Sequence, residues 1–233
     1  MPGNLVIIPA LNEERFIGPV ISAVSRVNDA VDILVVNDGS KDRTAVIAEE
    51  MGAMVIDHTY NLGYGAALQT GFRFAVNRDY EYVVTMDADG QHDPESIAEL
   101  YSRLHETGAD VVIGSRFSDG SYRMGFVRRV GAWIFAAVAR VYTGYRFTDP
   151  TSGFQLLNRK SFSCLANEES YPLDYPDVNI ILLLHKKRFK VVEAPVRMKL
   201  NVKSDTMHSG MKPFVYVIRM LLAITMILLR RED

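Results

Sequence analysis

The sequence predicts an α/β fold, a mainly parallel sheet flanked by helices, and three observations lead there. Short apolar runs end at turn residues, amphipathic helical patterns fill the spaces between them, and the spacing is that of βαβ units. The elements read off in order. Leu5–Ile8 is a strand ending at Pro9, and Phe16–Val27 is an amphipathic helix. Asp32–Val36 is a second strand, followed by the turn Asn37-Asp38-Gly39-Ser40 and a helix running to about Met51. Strand Ala53–Ile56, helix Gly65–Asn77 and strand Tyr82–Met86 follow. Asp93 and Pro94 then open a further helix, as N-cap and first helical residue, ahead of strand Val111–Gly114.

The second half is less regular. Phe126–Tyr142 reads as a helix that sets Arg128, Arg129 and Arg140 beside Trp133, Ile134, Phe135 and Val138, and Phe189–Val196 reads as a strand. Pro213–Leu229 is mostly apolar but is interrupted by Arg219 and closed by Arg230-Arg231. That is short for a membrane span, which needs about 20 apolar residues. Two readings of it stand, a helix lying in a membrane interface and an ordinary buried C-terminal helix. The expected organisation is one domain over residues 1–210 and a C-terminal apolar and basic helix over 211–233.

With 233 residues, 48% hydrophobic and 23% charged, the chain can build a full core, which excludes an intrinsically disordered protein. Its single cysteine, Cys164, excludes an internal disulfide framework and points to a reducing compartment. The N-terminal residues show no basic stretch followed by a long apolar run, so no secretory signal is expected there. The net charge of −2 conceals an asymmetry. Residues 1–110 hold 7 Lys and Arg against 18 Asp and Glu, and residues 111–233 hold 19 against 10. An acidic half beside a basic half suits one surface for a cation and another for an anion. Nucleic-acid binding is disfavoured, because the acidic half repels phosphate backbones and no basic–aromatic recognition module is present.

Ligands of open α/β sheets bind at the carboxyl ends of the strands. The first strand runs into Pro9-Ala10-Leu11-Asn12-Glu13, not a Gly-x-Gly-x-x-Gly turn, which counts against a dinucleotide site. The strand through Met86 runs directly into Asp87-Ala88-Asp89-Gly90-Gln91. Carboxylates at i and i+2 of an extended segment point the same way, and their repulsion is relieved by a cation between them. Two Asp with the Gln91 amide suit Mg2+ or Mn2+, phosphate oxygens completing the shell. A solvated turn capping the next helix is the plainer alternative, but Asp93 already fills the capping role.

Together, Pro9–Glu14, Val35–Ser40 and Asp87–Pro94 resemble the donor-binding motifs of family-two glycosyltransferases of the GT-A fold. Asp149-Pro150-Thr151-Ser152-Gly153-Phe154 is similar to a segment of the dolichol-phosphate mannose synthase branch and its bacterial polyprenyl-phosphate relatives. The resemblance implies that Pro9, Leu11, Glu13 and Asp38 line the base and ribose pocket, with Ala88 beside them. It implies that Asp87, Asp89 and Gln91 hold a divalent ion against the donor diphosphate. Asn61-Leu62-Gly63-Tyr64-Gly65-Ala66 looks like the family's glycine-rich loop near the donor; it also reads simply as a loop opening a helix. Arg116, with Arg128 or Arg129, resembles the basic residues that grip a lipid phosphate, and solvated arginines on a helix face are the alternative. One departure stands out: relatives often carry Arg-x-x-Gly-x-Ser after the last strand, whereas Asn201 stands here at the arginine's place, between Lys199 and Lys203.

The resemblance implies an inverting, metal-dependent hexosyltransferase that uses a UDP- or GDP-sugar and a polyprenyl phosphate. A phosphate acceptor is already largely ionised near neutrality and needs no strong base. Such an enzyme is expected on the cytoplasmic face of a membrane, held by its basic and apolar helices or by a membrane-protein partner. Transfer to a sugar hydroxyl is the nearest alternative; it requires a base, for which Asp149 and Asp177 are candidates, although Asp149 can instead brace the active-site loop. A non-catalytic nucleotide-binding scaffold is a third reading.

Overall fold

The computed structural model describes residues 3–27, 31–117, 136–173 and 176–198. In chain order these form β1 (Asn4–Ala10), α1 (Ile17–Val27), β2 (Val31–Asn37), α2 (Thr44–Glu50), β3 (Met54–Asp57), α3 (Tyr64–Asn77) and β4 (Tyr82–Thr85). A 3-10 turn, Pro94–Ser96, leads into α4 (Ile97–Thr107) and then β5 (Val111–Ser115). Helical residues 136–143 (α5) precede β6 (Gln155–Asn158), α6 (Arg159–Ala166), α7 (Val178–Lys186) and β7 (Val191–Pro195). The expected helix over Phe126–Tyr142 lies partly outside the described residues, and the one over Pro213–Leu229 wholly so.

The strands form one seven-stranded sheet in the order β3-β2-β1-β4-β6-β5-β7. Every pairing is parallel except those of β6, which runs antiparallel to both β4 and β5. The expected α/β architecture with a mainly parallel sheet is therefore the one observed. Alternate residues of each strand feed two cores. Leu5, Ile7, Leu34, Val36, Val83, Ile113 and Leu157 pack on one face with α3, α6 and α7. Val6, Ile8, Ile33, Val35, Val84, Val112 and Leu156 pack on the other with α1 and α4. Burial on both faces is what makes the strands read as continuous apolar runs.

β1 extends further than expected, taking in Pro9, which is paired in register with Val36. A proline within a central strand is tolerated here for a geometric reason. Ile7 accepts from the Met86 N–H on the β4 side, whereas Ala10 accepts from the Asp38 N–H on the β2 side. Pro9 shares the β4 orientation of Ile7, but the ladder with β4 ends at Ile7 and Thr85, so no ladder bond is lost.

The chain order did not reveal β6, α6 or α7. Gln155-Leu156-Leu157-Asn158 contains no β-branched residue, and neighbours on both sides impose its extended form. Asn158 then ends the strand and opens α6, its side chain accepting from the Ser161 N–H at 3.0 Å. In α7 every residue from Val178 to Leu184 is buried, which erases helical periodicity from the sequence.

Candidate active site

Parallel strands bring the carboxyl ends of β1, β2, β4 and β5 to one edge of the sheet, and antiparallel β6 starts at that same edge. The order β2-β1-β4 places a topological switch point between β1 and β4, where ligands of such sheets bind. The expected site residues Pro9, Leu11, Glu13, Asp38, Asp87, Ala88, Asp89 and Arg116 all lie at this edge.

After β1, the loop is tied to the one after β2. The Asn12 N–H donates to Ser40 Oγ at 2.9 Å, the Lys41 N–H to Asn12 Oδ1 at 2.9 Å, and the Glu13 N–H to Thr44 Oγ1 at 2.8 Å. Pro9 and Ala88 are buried, and Leu11 is exposed. Asp38 is only 4% exposed and its carboxylate is engaged within the protein. Oδ1 accepts from the Leu62 N–H at 2.9 Å and lies 2.7 Å from His58 Nδ1, while Oδ2 accepts from the Gly63 N–H at 2.9 Å. Asp38 thus fastens the loop before α3 and does not offer a bare carboxylate.

The glycine-containing segment opens α3. Gly63 caps α3 with φ 107°, and the Gly65 and Ala66 N–H groups donate to the Leu173 carbonyl at 2.7 and 3.2 Å. A Cβ on Gly65 would stand 2.0 Å from the Pro172 carbonyl oxygen. Gly65 thus permits a close approach of the Tyr171–Leu173 segment of this same chain.

Asp87 is the centre of the site. Its Oδ1 accepts from the Tyr64 hydroxyl at 2.8 Å, and its own N–H donates to His92 Nδ1 at 3.0 Å. The His92 Nε2 lies 3.6 Å from Asp87 Oδ2. His92 is buried and stacks on Phe154, with ring centroids 5.0 Å apart. A Cβ on Gly153 would fall 2.7 Å from the Tyr64 hydroxyl oxygen and 2.9 Å from Asp87 Oδ1, so only glycine lets this backbone lie against the carboxylate. Burial first, and the neighbouring Asp87 second, push the Tyr64 hydroxyl well above its ordinary pKa, which keeps it a donor. Asp89 accepts from the Gln91 N–H at 3.0 Å and from the Gln91 side-chain amide. The two carboxylates are hard oxygen ligands of the kind that suits Mg2+ or Mn2+, and the Asp87 side chain is 35% exposed, although among the described residues no three His, Cys, Asp or Glu side chains are grouped to hold a metal ion.

Asp149 is fully enclosed. Its Oδ2 accepts from Arg116 Nε at 2.6 Å and from the Arg116 N–H at 3.2 Å, and its Oδ1 accepts from Arg116 Nη2 at 3.3 Å. Two expected site residues thus bind each other. An enclosed carboxylate occupied by a guanidinium fork has the geometry of a brace, the second of the two roles expected for Asp149. The other acid considered as a base, Asp177, begins α7, close enough to Tyr64 and Tyr171 for its charge to raise both hydroxyls. Arg128, Arg129, Lys199, Asn201 and Lys203 lie outside the described residues.

Sequence reasoning missed Tyr64, His92 and Glu193 as parts of this site. Their signal is contact across the chain: Tyr64 meets a carboxylate 23 residues away, and Glu193 meets a loop more than 40 residues before it.

Residues 5–166 match the model of glycosyl transferase family 2. The polyprenol monophosphomannose synthase of Mycolicibacterium smegmatis is 35% identical over 168 residues, 67% of this chain and 62% of that protein. The UDP-N-acetylglucosamine–dolichyl-phosphate N-acetylglucosaminyltransferase of Methanococcus voltae is 29% identical over 212 residues, 82% of this chain and 84% of that protein. The crystal structure of glucosyl-3-phosphoglycerate synthase from Mycobacterium tuberculosis with Mn2+, UDP and glucosyl-3-phosphoglycerate superposes with a TM-score of 0.72 at 22% identity. That match covers 96% of this chain and 80% of the other, and it shows a shared GT-A fold.

Proposed function

The chain belongs to glycosyl transferase family 2, and from that premise we propose that it moves a hexose from a UDP- or GDP-sugar to a polyprenyl phosphate with inversion at the anomeric carbon. The supporting observation is the short segment from Asp149 to Phe154. One end of it clamps Arg116 through Asp149, and the other lays Gly153 against Asp87. A cation-binding carboxylate and a phosphate-gripping arginine are thereby fixed by one loop.

Asp87 and Asp89, with Gln91 beside them, would hold Mg2+ or Mn2+. A bound divalent ion supplies charge neutralisation for the departing nucleoside diphosphate. The remaining work falls to the chain itself. Tyr64 and His92 fix the rotamer and backbone of Asp87. Pro9, Leu11, Glu13 and the loop held by Asp38 form the base and ribose pocket, with Ala88 on its floor. Arg116, aided by Arg128 or Arg129, holds the acceptor phosphate so that an oxygen faces the anomeric carbon opposite the leaving group. The attacking oxygen needs no base, since the second pKa of a phosphate monoester is about 6.

The relatives named above act on polyprenol and dolichyl phosphates by their names, which favours the same acceptor class here. Transfer to a sugar hydroxyl is less well supported, because Asp149 is enclosed and paired. The scaffold reading is set aside: the chain is a glycosyltransferase. Among the described residues no helix is long and apolar enough to cross a membrane. We place the enzyme peripherally on the cytoplasmic face, held by the basic and apolar residues 126–142 and 211–233 or by a membrane-protein partner.

The test is nucleotide release with Mn2+ from a panel of UDP- and GDP-sugars, with and without a short-chain polyprenyl phosphate. Release that rises with the lipid phosphate for one donor is expected. Release indifferent to the lipid phosphate would overturn the acceptor assignment.

A further inference from the structure

Glu193 lies in β7, opposite Ile113 of β5, and its carboxylate reaches the loop that carries Asp149. Oε1 accepts from the Asp149 N–H at 2.7 Å and the Thr148 N–H at 2.9 Å. Oε2 accepts from the Thr148 N–H at 2.8 Å and the Thr148 hydroxyl at 2.8 Å. The Thr148 hydroxyl oxygen in turn lies 2.6 Å from Ser115 Oγ, on the residue preceding Arg116. Glu193, the 148–149 peptide and the end of β5 are thus knitted into one unit that also holds the Arg116 guanidinium through Asp149.

None of the ion pairs among the described residues includes the Glu193 carboxylate. Among the described residues its negative charge rests on N–H and O–H donors, beside a second carboxylate, Asp149, which stands enclosed against Arg116. Holding one loop peptide does not require a half-buried net charge, since a neutral acceptor would satisfy an N–H at lower desolvation cost. A rigid carboxylate that takes two adjacent N–H groups does fix the direction in which Asp149 points. Guanidinium recognition of phosphate depends on that direction, because forked hydrogen bonds tolerate little rotation.

We propose that Glu193 is a positioning residue for the acceptor phosphate, acting through Asp149 on Arg116; this rests on the acceptor reading above. Glu193→Gln keeps the size and one acceptor oxygen but turns an amide NH2 toward the Thr148 or Asp149 N–H. In the full chain, with the responding donor, the variant is expected to raise the KM for polyprenyl phosphate about tenfold. The donor KM stays within about twofold. Arg116→Lys should raise the same acceptor KM, and Glu193→Gln added to it should change that KM by less than about twofold, because both act on one contact. Thr148→Val, which removes only the hydroxyl arm, should move acceptor KM in the same direction by less, and it stands in should Glu193→Gln fail to fold.

Three results overturn the proposal. Donor and acceptor KM could rise together in Glu193→Gln, which marks general loosening. The two substitutions could multiply fully in the double variant. Acceptor KM could be unchanged in a folded Glu193→Gln enzyme, or in Thr148→Val where the first does not fold, while Arg116→Lys raises it. If polyprenyl phosphate fails to stimulate even the unaltered chain, the acceptor reading falls and takes this inference with it, so the two failures are distinguishable.

Discussion

The hydroxyl of Tyr64 donates a 2.8 Å hydrogen bond to Oδ1 of Asp87, joining the first turn of α3 to the loop after β4. A hydrogen bond to a charged group contributes about 1.5–3 kcal/mol. Tyr64→Phe removes the donor and keeps the ring. Turnover at subsaturating Mn2+ is therefore expected to fall about tenfold to a hundredfold, with partial recovery at high Mn2+. A Mn2+ titration of nucleotide release measures it, and an unchanged Mn2+ requirement would contradict the role given to Tyr64.

Gly153 lies where a single methyl group collides with both members of that pair, 2.7 Å from the Tyr64 oxygen and 2.9 Å from Asp87 Oδ1. Gly153→Ala should cost more than about a hundredfold in rate while thermal unfolding remains cooperative. Its neighbour Ser152 serves as a control, because Ser152→Ala adds no such contact. Equal activity in the two variants would argue against a close-packed Asp87.

Asp149 and Arg116 form an enclosed pair, the acid fully shielded and the arginine side chain 19% exposed. Breaking such a pair from one side costs about 3–5 kcal/mol, because the remaining charge is left without its partner. Asp149→Asn should lower stability to denaturant by an amount in that range and weaken acceptor binding as well. A substitution that abolished activity yet left unfolding unchanged would restore the idea of Asp149 as a base.

Burial raises the Glu193 carboxyl above its ordinary 4.5, the Asp149 and Thr148 N–H groups pull it back down, and the Asp149 charge adds to the rise. A carboxyl raised in the folded state favours the folded protein when protonated and loses that contribution as pH rises through the folded value. Folding stability of the unaltered chain, measured against Glu193→Gln by denaturant unfolding across mildly acidic pH, should therefore decline as pH rises just above 4.5. A difference that grows with pH would contradict the sign.

The sheet edge was legible because its strands are apolar runs that stop at Asn37-Asp38, Met86-Asp87 and Ser115-Arg116, each a sharp change from apolar to polar. The Asp87/Asp89 pair was singled out by its i, i+2 spacing, but the chain turns at residues 88–89 instead of continuing β4 as an extended segment. What hid from the sequence was every feature defined by a partner far along the chain. The extended form of β6 is set by β4 and β5, Gly65 is required by the Pro172 carbonyl, and Asp149 is paired with Arg116 33 residues before it. His92 looked like a loop residue because nothing local announces that its ring stacks on Phe154 and accepts the Asp87 N–H.

The central claim is that the attacking group is a phosphate oxygen, and one comparison addresses it most directly. The full chain is given Mn2+, the responding radiolabelled sugar nucleotide, and either a short-chain polyprenyl phosphate or the matching free polyprenol. Organic-phase label is then counted. The account predicts label transfer to the phosphate and none above background to the alcohol. Equal transfer to the alcohol, or label appearing only on an added oligosaccharide, would contradict it.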